Sequence, residues 1–120
     1  MPIEMTCEED SLVVLRISEK LKISEFQGAQ RKCEDIIKEV GDIKILVITS
    51  NFEGWERAQG WSDWTFSDRN DTHIKKIAIV GDAKWKDLVY AFTAKDLRPV
   101  AIEYFDSSQE FKARRWLESS

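Results

Sequence analysis

The stretch IKILVITSNFEGW, residues 43–55, decides how this chain is read. Its first half, Ile43 to Ile48, is an almost unbroken apolar run, the pattern of a strand covered on both faces. A second such run, Ile77-Ala78-Ile79-Val80, lies downstream. Two buried strands separated by helical patterning imply parallel crossovers, hence an α/β sheet. The second half, Ser50 to Trp55, reads as the loop that leaves the first strand. It holds Phe52 and Trp55, so it either binds something or plugs a core.

Working outward, Ile3, Met5 and Cys7 alternate with Glu4, Thr6 and Glu8, as in a half-buried strand. Glu9-Asp10-Ser11 turns the chain into a hairpin partner, Leu12 to Ile17. Ser24 and Gln27 have capping-box spacing. Phe26, Ala29, Cys33, Ile36, Ile37 and Val40 then follow at helical spacing, and Gly41 supplies the stop. Beyond the SNFEGW loop, Ala58, Trp61, Trp64 and Thr65 predict a helix from about Glu56 to Arg69. Gly60 inside it costs about 1 kcal/mol against Ala. After the second buried strand, Asp82 is placed to cap a helix whose apolar stripe is Trp85, Leu88, Val89 and Phe92. A last strand runs from Val100 to Phe105. Ser107 and Glu110 have capping-box spacing before a terminal helix with Phe111, Ala113, Trp116 and Leu117. The expected fold is therefore a single-domain mixed sheet over residues 1–120. It has about five strands, an N-terminal antiparallel hairpin followed by parallel βα units, flanked by four helices.

Bulk properties narrow the function. A chain of 120 residues suits one core, and 42% hydrophobic with 33% charged residues is ordinary for a soluble globular protein. The net charge of −4 argues against nucleic acid, which needs clustered Lys and Arg. No apolar run approaches the roughly 20 residues of a membrane span. The acidic start, MPIEMTCEED, lacks the features of a secretory signal, so a cytoplasmic location is expected. Cys7 and Cys33 share no metal spacing, and Cys33 falls on a helical apolar stripe, where a buried, inert thiol is expected.

The catalytic inventory is thin. His73 is the only histidine and reads as a solvated loop residue. There is no nucleophile elbow, phosphate loop or metal-ligand cluster, so neither a cofactor nor a metal is expected, and the chain reads as a non-enzyme. In open α/β sheets ligands bind beyond the carboxyl ends of the strands. Glu53 and Asp82 both fall there. The plain reading is that Asp82 caps a helix and Glu53 is solvated; the sharper one pairs them.

Aromatic residues carry more information. Five tryptophans occur in the chain, and Trp55, Trp61 and Trp64 fall within ten positions. With Trp85 and Phe92 they fill a core, or wall a site for an apolar molecule, a lipid or a protein partner. A second copy of the chain is another partner that exposed tryptophans would suit.

The segments NFEGW, IKKIAIVGDAKW and VAIEYFDSSQEFKARRWL together resemble the SpoIIAA-like family of small bacterial proteins, within the wider group of STAS and CRAL-TRIO-like folds. The resemblance implies a mixed sheet flanked by helices. It points to two functions. CRAL-TRIO domains hold apolar molecules between sheet and helices, whereas anti-anti-sigma STAS proteins are switched by phosphorylation of a serine at the start of the helix after the third strand. Ser50 is nearest to that serine, but lacks the preceding Asp and following Ser-Gly, and a phosphate there would sit beside Glu53. The leading expectation is a binding module for an apolar or lipid-like small molecule. Its candidate residues are Ser50, Asn51, Phe52, Glu53, Trp55, Trp61, Trp64, Asp82, Trp85 and Phe92. The alternative is a regulatory protein-interaction module with Ser50 as its phosphorylation site.

Overall fold

The computed structural model describes residues 3–8, 11–57, 69–93 and 100–119. Five strands form one sheet: β1 (Ile3–Glu8), β2 (Leu12–Leu21), β3 (Ile43–Trp55), β4 (Ile74–Gly81) and β5 (Ala101–Asp106). They stand in chain order, with β1 antiparallel to β2 and every other neighbour pair parallel. Three helices are described: α1 (Ile23–Val40), α2 (Lys86–Thr93) and α3 (Glu110–Glu118). The helix expected from about Glu56 to Arg69, with Trp61 and Trp64, lies almost wholly outside the described residues.

The apolar runs work as double-sided strands. Ile43, Ile45, Ile77 and Ile79 join Cys33 and Ile37 of α1 and Val89 of α2 in one core cluster. Leu46, Ile48, Ala78 and Val80 join Ala113 and Leu117 of α3 in the other. Alternation along each strand thus supplies two faces from one run. Consecutive parallel strands advance in one direction across the sheet, so crossovers of one hand place α1 and α2 on the same face. The chain then returns with α3 beneath the opposite face.

Helix starts differ from the capping boxes that the spacing predicts. Helix α1 begins at Ile23, so Ser24 and Gln27 already lie inside it, and Lys22 at the cap makes no side-chain bond. The orphan N–H of Ile23 instead donates to Glu56 Oε2 at 2.7 Å, while Glu56 N–H donates to Leu21 O at 2.9 Å. A carboxylate from the end of β3 does the work of a local cap. Before α3, Asp106 accepts from Ser108 N–H (3.3 Å) and Oγ (2.8 Å) and holds a turn of 3-10 helix. Glu110 is left to pair with Arg114 at 3.0 Å, and Arg114 also reaches Glu8 at 3.1 Å. Gly41 ends α1 at φ 85° as expected, its N–H donating to Ile37 O at 2.8 Å.

Three expected stripe positions face solvent, among them Val40 at the end of α1, 50% exposed. Leu88 is 54% exposed and Phe111 71% exposed. Phe111 lies about 160° around the helix from Ala113 at 100° per residue, so it cannot share the buried face of Ala113 and Leu117. The guanidinium of Arg115 lies 5.6 Å from its ring centroid. Lys76 closes the other end of α3. Its Nζ donates to Trp116 O (2.8 Å) and Ser119 O (2.7 Å) and lies 4.8 Å from the Trp116 ring. A cation at a helix C-terminus complements the unpaired carbonyls there.

Candidate functional site

The residues Ser50–Trp55 are strand, not loop: β3 continues through Trp55 and keeps pairing with β2. The register shows how. Ser18 opposes Ser50, Glu19 opposes Phe52, and Leu21 opposes Trp55. Asn51 is an extra residue in the first interval, and the second gains one more residue on β3 than on β2. Asn51 and Gly54 both have positive φ, 52° and 96°. Each inserted residue flips the alternation once. Thr49, Phe52 and Trp55 therefore all turn to one face, although they recur every third residue rather than every second. Asn tolerates this conformation better than most residues, and Gly carries no penalty. Gly54 is also buried, and a Cβ there would stand 3.4 Å from the Trp85 ring.

That face contains a cavity of about 160 Å³. Its floor is β2, β3 and β4, through Leu15, Ile17, Leu21, Ile45, Val47, Thr49, Phe52, Trp55, Ile74, Ile77 and Ile79. Among the described residues its roof comes from α1 (Phe26, Ala29, Gln30, Cys33) and α2 (Val89, Phe92, Thr93), with Ile3 of β1 at the wall. An aromatic cluster closes one end. Trp55 stands 5.1 Å from both Phe52 and Phe92, and Phe26 stands 5.5 Å from Phe92. Trp85 does not line the cavity but buttresses it, 5.0 Å from Phe52 and 6.0 Å from Trp55. These are mostly edge-to-face contacts, the arrangement favoured by ring quadrupoles.

Among the described residues, polar groups in this wall are few, and both threonine hydroxyls are spent. Thr49 Oγ1 donates to Val80 O at 3.1 Å, and Thr93 Oγ1 donates to Val89 O at 2.9 Å. Burial, with a lesser contribution from Cys7, pushes the Cys33 thiol up to about 12. It is a neutral apolar surface there, not a nucleophile. Among the described residues, two buried side-chain atoms have no hydrogen-bond partner: Trp55 Nε1 and Glu25 Oε1. A buried donor left unmade costs about 1–3 kcal/mol.

Of the residues expected at the site, Phe52, Trp55 and Phe92 line the cavity and Trp85 supports it. Ser50, Asn51, Glu53 and Asp82 are exposed and do not line it. The strand-end edge, where the sharper reading would pair Glu53 with Asp82, is tied down internally. Asp82 Oδ1 caps Lys84 N–H at 3.0 Å, and Tyr104 OH donates to Asp82 O at 2.7 Å. A methyl group on Gly81 would run into both Thr49 Oγ1 and the Tyr104 hydroxyl. Ser50 sits within β3 opposite Ser18, not at a helix start. Trp61 and Trp64 lie outside the described residues. Sequence reasoning missed Phe26, Gln30, Thr49 and Thr93. Phe26, Ala29 and Cys33 formed a visible helical stripe, but such a stripe looks the same whether it meets solid core or a void.

No helix among the described residues is long and apolar enough to cross a membrane, and none of their His, Cys, Asp and Glu side chains group in threes or more to hold a metal. The SpoIIAA-like family model matches residues 12–118. No curated protein matches the chain. A solved structure of an uncharacterized protein of the DUF3478 family from Shewanella loihica PV-4, described as having a SpoIIAA-like fold, superposes with a TM-score of 0.71. That match covers 96% of this chain and 91% of the other at 17% identity, a likeness of fold alone. With the ordered sheet, the helices on both faces and a family match spanning nearly all of the described fold, the chain belongs to the SpoIIAA-like family.

Proposed function

We propose that this protein is a non-enzymatic binding module that takes an apolar small molecule into the cavity between the sheet and α1 and α2. The cavity itself carries the reading: about 160 Å³ of space with a wall of aliphatic and aromatic side chains. Well-packed interiors hold few voids larger than a water molecule. An engineered apolar cavity of about 150 Å³ stays dry and binds benzene. Drug-sized ligands need roughly 300–1,000 Å³. The size therefore favours a single aromatic ring or a short hydrocarbon segment over a whole phospholipid. A lipid would enter by part of one chain. The spent hydroxyls of Thr49 and Thr93 and the neutral Cys33 thiol support binding rather than catalysis.

Protein-observed NMR with benzene, toluene and hexanoate tests this. Saturable shifts confined to residues such as Ala29, Val47 and Phe92 are expected. Absence of shifts at millimolar probe would overturn the reading.

A second reading, a regulatory interaction module acting through Ser50, is favoured by the exposure of Ser50 and Asn51 beside the bulge. A phosphate on Ser50 would then alter a partner contact. Partner pull-downs unchanged by both Ser50→Ala and Ser50→Asp would dismiss it.

A further inference from the structure

The space under α1 and α2 has an axis as well as a volume. On β3 the side chains that line it form one file: Ile45, Val47, Thr49, Phe52 and Trp55. The two bulges carry that file past the point where simple alternation would turn it away. Beside it run Leu15, Ile17 and Leu21 on β2, and Ile74, Ile77 and Ile79 on β4. At about 3.3 Å per residue these flanking files extend roughly 17–20 Å along the strands. Across the strands the same wall covers two spacings, about 10 Å. One continuous space touches all three files, so it is drawn out parallel to the strands.

Both ends of that axis are apolar. Towards the amino ends of β3 and β4 stand Ile45, Ile74 and Ile77, with Cys33 of α1, all buried. Towards the carboxyl end of β3 stand the rings of Phe52 and Trp55. Among the described residues no charged side chain lines the space. A charged group inside it would lose water without gaining a counter-ion.

We propose that the ligand of this cavity is a linear, saturated hydrocarbon chain lying parallel to the strands. This rests on the cavity being the binding site and decides between its occupants, a chain rather than a ring. A cavity of about 150 Å³ takes the carbons of one benzene. By that measure about 160 Å³ takes a chain of about six to eight carbons. A ring of equal carbon number meets the three files over only part of their length. Such a chain is common to free alcohols and acids and to the acyl groups of lipids.

NMR titration of the wild-type chain with 1-butanol, 1-hexanol, 1-octanol, 1-decanol and cyclooctanol tests this. Affinity should rise about fourfold per added methylene, the worth of about 0.8 kcal/mol, and level off beyond about eight carbons. Cyclooctanol has the carbon count of 1-octanol in a compact shape. Corrected for transfer from water to hydrocarbon, it should bind roughly tenfold more weakly, as if about two methylenes were left unburied. Bound 1-octanol should show nuclear Overhauser contacts to the Ile77 methyls and the Phe52 ring in one complex, a readout that needs no variant. Dioctanoylphosphatidylcholine below its micellar concentration separates the sources. The same contacts from its acyl groups point to a lipid tail, and their absence beside bound 1-octanol points to a free chain. Cyclooctanol binding as tightly as 1-octanol on the corrected scale, or contacts to one end alone, overturns the chain and leaves the apolar site standing. Binding of none of the probes removes the site itself.

Discussion

Ala29→Leu tests whether the space between α1 and the sheet is open. Ala29 is 7% exposed and lines the cavity from the middle of α1. At about 24 cal/mol per Å³, a void of about 160 Å³ represents up to roughly 4 kcal/mol of forgone packing. Leucine adds three carbons, or about 2.4 kcal/mol at 0.8 kcal/mol each. Ordering its rotamers removes about 0.5–1 kcal/mol. The net expectation is a gain of about 1.5 kcal/mol, with Tm rising by about 5 °C for a domain of this size. In a solid core the same substitution overpacks, and the sign reverses to a loss of about 1–3 kcal/mol. Urea melts and calorimetry read the difference directly. A destabilised, still folded Ala29→Leu would refute the cavity and the function built on it. A stabilised variant that has also lost benzene binding would join the two, because the leucine side chain would occupy the ligand's space.

Other perturbations probe the devices that shape the site. Gly54→Ala forces a Cβ into φ 96° and toward Trp85, and should cost about 1–2 kcal/mol; a neutral result in chemical denaturation would mean that the second bulge is dispensable. Glu56→Ala removes the acceptor for Ile23 N–H and should cost about 1 kcal/mol, with faster amide exchange confined to the first turn of α1; unchanged exchange there would discount the remote cap. Cys7 is exposed, whereas the Cys33 thiol is buried with its pKa pushed up to about 12, so iodoacetamide at pH 8 should label Cys7 alone in the native protein; mass spectrometry finding equal labelling would contradict the burial. Asp42 is held below the usual carboxylate range by its hydrogen bond from His73 and then by Lys75. Its folded pKa is depressed, so its contribution is present above the ordinary carboxylate pKa and is lost as pH falls through the folded value. Wild type and Asp42→Asn should therefore differ in stability near neutrality and converge in acid; a gap that widens on acidification would reverse the assignment.

The amino-acid sequence by itself determined the layered architecture. Apolar runs at Ile43–Ile48 and Ile77–Val80 have the pattern of strands buried on both faces, and the alternation of Ile3 and Met5 with Glu4 and Thr6 marked a half-covered edge, although Cys7 at its end is exposed. Periodicity is local, so it survives without knowledge of neighbours. It also grouped Trp55 with Trp85 and Phe92, provided that the elements carrying them pack over one face of the sheet. Tertiary structure decided the rest. Whether Phe52 and Trp55 point into the fold depends on two bulges, and those appear only when β3 is laid against β2. Whether Ser24 or Glu56 caps α1 depends on where the end of β3 arrives, a separation of 33 residues for the bond that forms. The stripe of Phe26, Ala29 and Cys33 required burial but did not say against what, because a hydrophobic pattern records the face that leaves water, not the packing density behind it. The unpartnered N–H of Trp55 is of the same kind. An indole carries its donor in every sequence, and only the surrounding fold determines whether anything is there to accept it.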